Sequence, residues 1–166
     1  MNKPYYISIE VRWSDLDPNN HLANSSYVNY GAHIRTRFLA ENGFSQAQFH
    51  EHNIGPIVFS EGTHFFKEIL PNETIYITME LKGLSENNLF FKFVHNFYKQ
   101  DGTHAAQTQL SGAWLNLQTR KIAVPPEALL ATIDRMPRAE GFKILTKEEL
   151  REGQVLPQTE KFVVND

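Results

Sequence analysis

The chain contains no cysteine. That excludes disulfide bonds, thiolate catalysis and cysteine-ligated zinc, and it is compatible with a reducing compartment. No apolar run approaches the ~20 residues of a membrane span, and the opening stretch MNKPYYISIEV lacks the apolar segment of a secretory signal. A cytoplasmic location is expected. An excess of positive charge is also missing: 16 Lys and Arg against 19 Asp and Glu leave a formal charge of −3, so nucleic acid is a poor partner. Among the seven histidines only His50-Glu51-His52 form a cluster. It has no third ligand at a familiar spacing, so no metal and no cofactor are expected. What is present is 166 residues, 41% of them apolar, enough for one domain with a sizeable core.

Residues 5–13 alternate, with Ile7, Ile9, Val11 and Trp13 on one side and Ser8, Glu10 and Arg12 on the other. This predicts a half-buried strand. A helix is expected from about Ser25 to Asn42, since Tyr27, Tyr30, Gly31, Ile34 and Phe38 form one stripe. Asn24, Ser25 or Ser26 would cap its start and Asn42-Gly43 would end it. Gly31 costs up to ~1 kcal/mol of helix propensity, which a close approach to a sheet would justify. His33, Arg35 and Arg37 lie off the stripe and are expected in solvent or at a subunit surface.

From Ile57 the chain reads as strands at 57–66, 74–82, 89–98 and 104–117. Turn signals separate them at Pro71-Asn72-Glu73, Ser85 to Asn88 and Asp101-Gly102. Short breaks imply antiparallel neighbours and a meander. The small residues Ala105, Ala106, Gly112 and Ala113 leave room for a helix on the sheet. A short strand at 118–124, a helix after Pro125-Pro126, a small helix started by Thr146 and Glu149, and an edge strand at 162–164 complete the expectation. The class is α+β, a helix on an antiparallel sheet.

The chemistry concentrates between the first strand and the long helix, in Asp15-Leu16-Asp17-Pro18-Asn19-Asn20. A helix N-terminus gathers backbone N–H groups suited to a developing negative charge. A carboxylate beside it can act as a nucleophile or as a base on water, and an Asp is ionised at neutral pH without help. Asp15 and Asp17 could equally be turn formers.

The spacing Asp-x-Asp-x-x-x-His-x-x-Asn-x-x-Tyr-x-x-Tyr, here Asp15, Asp17, His21, Asn24, Tyr27 and Tyr30, follows Arg12-Trp13 and precedes Gly55-Pro56-Ile57-Val58. It resembles the 4-hydroxybenzoyl-CoA thioesterase family of hotdog-fold acyl-CoA thioesterases. The resemblance covers about residues 3–130 and is most specific in the first thirty. It implies a long helix wrapped by an antiparallel sheet; residues 1–133 are read as that hotdog domain, and 134–166, which have no counterpart in the family, as an extension packed on the same domain. It also implies edge-to-edge dimers or tetramers, an active site at the dimer interface, and an acyl-CoA or acyl-carrier-protein thioester as substrate.

In that family the second acidic residue of the turn is the catalytic carboxylate, which falls on Asp17. His21 and Asn24 are further catalytic candidates, though Asn24 also suits a cap, and Asp15 suits a structural role. Ser25, Tyr27, Lys67 and Lys92 are candidates for substrate binding, with Lys82, Arg120 and Lys121 as further cations for a polyanionic coenzyme. Phe59, Phe65, Phe66, Phe90 and Phe91 are candidates for the acyl pocket. The family's glycine in the acidic turn is replaced by Asn19-Asn20, and Asn tolerates left-handed backbone. The branch with a carboxylate inside the helix is disfavoured, since no Asp or Glu precedes Glu41 there. Glu61 and His64 fall on opposite faces of their strand. A hotdog hydratase and a non-catalytic acyl-CoA-binding module are the alternatives; the order Asp-Pro-Asn-Asn-His departs from the Asp-x-Asn-Pro-x-His pattern of the former.

Overall fold

The computed structural model describes residues 4–151 and 155–158. Strand β1 (Tyr5–Glu10) leads through a single 3-10 turn (Trp13–Asp15) to helix α1 (Asn24–Glu41). Then come α2 (Gln46–Glu51), β2 (Ile54–Phe65), β3 (Thr74–Ser85), β4 (Phe90–Lys99), β5 (His104–Asn116), α3 (Glu127–Asp134), β6 (Arg138–Leu145) and α4 (Lys147–Arg151). The sheet runs β1-β3-β4-β5-β2, every pair antiparallel, and β6 joins β3 in parallel.

The stripe of α1 does what its spacing predicts. Tyr27, Tyr30, Ile34 and Phe38 are buried against Ile7, Ile75, Ile77, Met79 and Phe97 in one core. Gly31 faces β4: a Cβ there would lie 3.1 Å from the His95 ring, tight enough to explain glycine in mid-helix. Gly112 serves a different contact from the one expected. Its missing side chain makes room for the Phe91 ring and the Ile57 carbonyl rather than for the helix.

Four expectations change. β2 does not join the meander; β3, β4 and β5 form it, while β2 pairs with β5. Residues 66–73 cross the sheet instead of turning back, and buried Ile69 accepts the Leu22 N–H at 2.8 Å on the way. Trp13 leaves the alternation because the strand ends at Glu10, and it is 86% exposed. Residues 118–124 make one bridge, Leu115 to Ile122, not a strand. The N-cap of α1 is Ala23, with no side-chain cap; Ser26 instead donates its hydroxyl to the Asp15 carbonyl at 2.9 Å.

Beyond residue 134, Thr146 and Glu149 exchange the expected capping bonds. The unexpected β6 is largely exposed and charged, so it carries no alternation to read. The strand expected at 162–164 lies outside the described residues.

Candidate active site

The acidic turn is a small hairpin. Leu16 bridges Leu22, and the Asp17 N–H donates to the His21 carbonyl at 2.8 Å. Asn20 closes it at φ +62°, so the second of the two asparagines adopts a left-handed backbone. Inside this loop the two carboxylates have different surroundings.

Asp15 is fully engaged. Arg12 donates from Nε to Oδ2 at 2.9 Å and from Nη2 to Oδ1 at 3.2 Å, and the Tyr30 hydroxyl donates to Oδ2 at 2.7 Å. Its backbone carbonyl accepts the Ala23 N–H. The Arg12 hydrogen bonds, with that from Tyr30, hold its carboxyl below the ordinary range against the effect of burial. The Tyr30 phenol is pushed well up by burial and by the Asp15 carboxylate. Asp15 is thus the strut between strand, turn and helix.

A carboxyl made more acidic by folding stabilises the fold above the ordinary Asp range of ~3.9, and that contribution fades as pH falls through the lowered value. Asp15→Asn should therefore melt lower than wild type at pH 7, with the gap closing toward pH 2 in thermal melts followed by circular dichroism. A gap that is independent of pH would sink this assignment.

Asp17 is only partly engaged. Its Oδ1 accepts the N–H groups of Asn19 at 2.9 Å and His21 at 3.1 Å. No donor among the described residues reaches Oδ2. Nearby Tyr27 is buried, packs edge-on against Phe65 and Phe97, and has its phenol pushed up to about 12 by burial and then by the charge on Asp17. Just beyond, Asn24 and Ser25 occupy the exposed first turn of α1, and no acceptor among the described residues takes their N–H groups. Asp17 thus keeps one carboxylate oxygen without a donor among the described residues, in the turn that leads into α1.

The other candidates divide. The His21 side chain turns to the surface, its Nε2 3.2 Å from Glu68, so it meets Asp17 through its backbone only. Lys67 is exposed just past β2. Lys92 lies elsewhere, donating to the Glu149 carbonyl at 3.0 Å. Phe65, against Tyr27, is 55% exposed and Phe66, against His104, is 52% exposed, whereas Phe91 is core.

Arg35 corrects the expectation of a solvated residue. It is half-buried under the sheet, donating from Nη1 to His95 Nε2 at 2.9 Å, with Glu61 at 3.7 Å. The sign in the sequence is its position four residues after Gly31, on the same side of the helix. As expected from alternation, His64 is exposed and Glu61 is not.

The sequence profile of the thioesterase-like superfamily matches residues 11–133. The chain belongs to the thioesterase-like superfamily. It is a hotdog-fold thioesterase at that level of description. By sequence, no curated protein matches it. Among solved structures, the SAV2348 protein of Staphylococcus aureus, solved in complex with CoA, is similar at TM-score 0.74 and 19% identity, over 93% of this chain and 96% of that one. A 1,4-dihydroxy-2-naphthoyl-CoA thioesterase of Synechocystis is similar at TM-score 0.71 and 12% identity, over 80% and 97%. The probable thioesterase YbaW of Escherichia coli is similar at 0.68 and 21%, over 80% and 98%. At these identities the likeness is one of fold. No helix among the described residues of this thioesterase is long and apolar enough to cross a membrane.

Proposed function

We propose that this thioesterase hydrolyses acyl-CoA thioesters, with Asp17 as nucleophile or as general base on water. The observation that supports it is the half-engaged carboxylate in the turn that leads into α1: two N–H groups fix Oδ1, and no donor among the described residues takes Oδ2. Orientation costs nothing at the moment of reaction when the backbone has already supplied it. The N–H groups of Asn24 and Ser25 are the donors for the thioester oxygen as it gains charge. His21 contributes its backbone to the turn, and Tyr27 walls the site with Phe65. The CoA bound to the S. aureus relative favours a CoA thioester over other acyl carriers.

The working unit is a dimer through β2. That strand is an open edge of twelve residues, with Val58, Phe59 and Phe65 exposed along it, and an uncovered edge of this length calls for a partner. Release of free thiol from a panel of acyl-CoAs by a species of dimeric mass in light scattering is the expected result. Hydration of an enoyl-CoA without thiol release would favour the hydratase, and binding without turnover the non-catalytic module.

A further inference from the structure

One carboxylate outside the acidic turn lacks the partners that its burial calls for. The Glu61 side chain is only 14% exposed, and its Oε1 is closed off from solvent with no hydrogen-bond partner; Arg35 Nη1 stands 3.7 Å away, beyond hydrogen-bond reach. No donor among the described residues takes Oε2 either. Buried polar groups are almost always hydrogen-bonded, so an exception points to a missing partner. The neighbours are engaged elsewhere: Arg35 Nη1 donates to His95 Nε2 at 2.9 Å, and the Thr63 hydroxyl is paired with that of Thr108 at 2.9 Å.

The position of Glu61 gives the missing partner its chemistry. Along β2, Glu61, Thr63 and Phe65 alternate onto the face that meets α1: Phe65 packs on Tyr27 with ring centroids 5.1 Å apart, and Glu61 lies against Arg35. Opposite them, Val28, Gly31 and Arg35 share one side of the helix. Val28 and Phe65 are 39% and 55% exposed, so this seam opens at an apolar mouth beside Tyr27 and ends at a charged pair. The pair is neutral as a whole, which disfavours a ligand with a charged end. What Glu61 lacks is a hydrogen-bond donor, and an uncharged hydroxyl supplies one.

The helix serves as a ruler. Arg35 leans back by one turn, since a Cβ on Gly31 would lie 3.4 Å from its Nη1. At about 1.5 Å of rise per residue, the guanidinium stands roughly 10 Å along the axis from the Asn24 and Ser25 N–H groups. We infer that Glu61, held in place by Arg35, binds a hydroxyl at the far end of the acyl group, roughly 10 Å from the thioester oxygen. The inference rests on the acyl-CoA reading above, in which Asn24 and Ser25 receive that oxygen, and adds which acyl groups the enzyme takes. A single aromatic ring is too short for this span; a chain of about eight carbons, or a ring on a two-carbon arm, matches it.

The test compares substrates that differ only in a terminal hydroxyl or methyl: ω-hydroxyoctanoyl-CoA with nonanoyl-CoA, and para-hydroxycinnamoyl-CoA with para-methylcinnamoyl-CoA. In at least one pair, wild type is expected to favour the hydroxyl by about 100-fold or more in kcat/KM, because a site built to bond a hydroxyl rejects the analogue without it. The pair that shows this tells an aliphatic acyl group from an aromatic one. The shorter para-hydroxybenzoyl-CoA should gain nothing over its methyl counterpart. In Arg35→Met/Glu61→Leu the preference should vanish or invert, whereas a merely structural pair would slow both members alike. Indifference of wild type in both pairs, a preference confined to para-hydroxybenzoyl-CoA, or a preference that survives the double variant overturns the inference. If that variant does not fold, Glu61→Gln decides: a neutral acceptor should weaken the preference about tenfold, and an unchanged preference overturns it. Should wild type cleave none of these thioesters, the hydrolytic reading fails, and calorimetry on the same pairs decides the seam. Tighter binding of the hydroxylated member then sustains it, and equal affinity overturns it.

Discussion

Asp17→Asn is expected to give a folded protein of unchanged assembly state that turns over its best acyl-CoA at least ~100-fold more slowly, consistent with loss of a positioned base or nucleophile. The substitution is nearly isosteric. Its side-chain oxygen still accepts from the N–H groups of Asn19 and His21, the two bonds that build the turn. What vanishes is the negative charge on the oxygen with no donor of its own. A role confined to shaping the turn would therefore survive in Asn, while a role in attacking the thioester would not. Asp17→Ala should lose as much activity and some stability as well, since both turn bonds go. The measurement is thiol release under single turnover, with thermal melts of the same preparations. Near wild-type turnover by Asp17→Asn would reduce Asp17 to a turn residue and leave the catalytic group to be found elsewhere.

The largest stability effect is expected at Arg35. Its guanidinium reaches His95 and Glu61 beneath the sheet, with side chains only 17% and 14% exposed at Arg35 and Glu61. Burial lowers the pKa of Arg35 and the charge on Glu61 opposes that effect. Burial, with the neighbouring Arg35 cation, also drives His95 down to about 3. The ring is thus neutral at physiological pH, accepting from Arg35 at Nε2 and facing the Thr78 carbonyl with Nδ1. Arg35→Ala would leave Glu61, whose Oε1 already has no hydrogen-bond partner, as a buried charge without a cation. Breaking one side of such a pair costs ~3–5 kcal/mol. Replacing both sides, in Arg35→Met with Glu61→Leu, should return most of it, because the removed pair no longer leaves a charge behind. Denaturant unfolding of the two variants decides. A loss under about 1 kcal/mol for Arg35→Ala, typical of an exposed pair, would mean that water reaches Glu61 freely.

The sequence displayed most clearly what depends on local period. The stripe Tyr27, Tyr30, Ile34 and Phe38 and the strand content between residues 57 and 117 were legible because burial on one face repeats along the chain. Pairing order was not. Nothing in Pro71-Asn72-Glu73 distinguishes a hairpin from the crossing that seats Ile69 under α1, since the deciding contact is with Leu22, far away in the chain. β6 was hidden for a related reason: it borrows its burial from Leu81, Leu84 and Ser85 of β3 rather than displaying a pattern of its own. In the site, the roles of Asp15 and of the asparagine turn could be anticipated from residue type. The route of the His21 side chain to Glu68, and the absence of any side-chain cap on α1, depend on tertiary geometry.

The two rims of the sheet differ in a way that bears on how far association can proceed. Along the outer side of β3, β1 covers Thr74–Met79 in antiparallel register and β6 covers Leu81 to Ser85 in parallel register. That rim is therefore two short pieces running in opposite senses relative to β3, and a long incoming strand finds no unbroken ladder there. Among the described residues β2, with its twelve residues, is the one long template. In the dimer proposed above, each sheet has used the one long rim found among the described residues, so edge pairing through β2 would close on itself instead of propagating into a fibre.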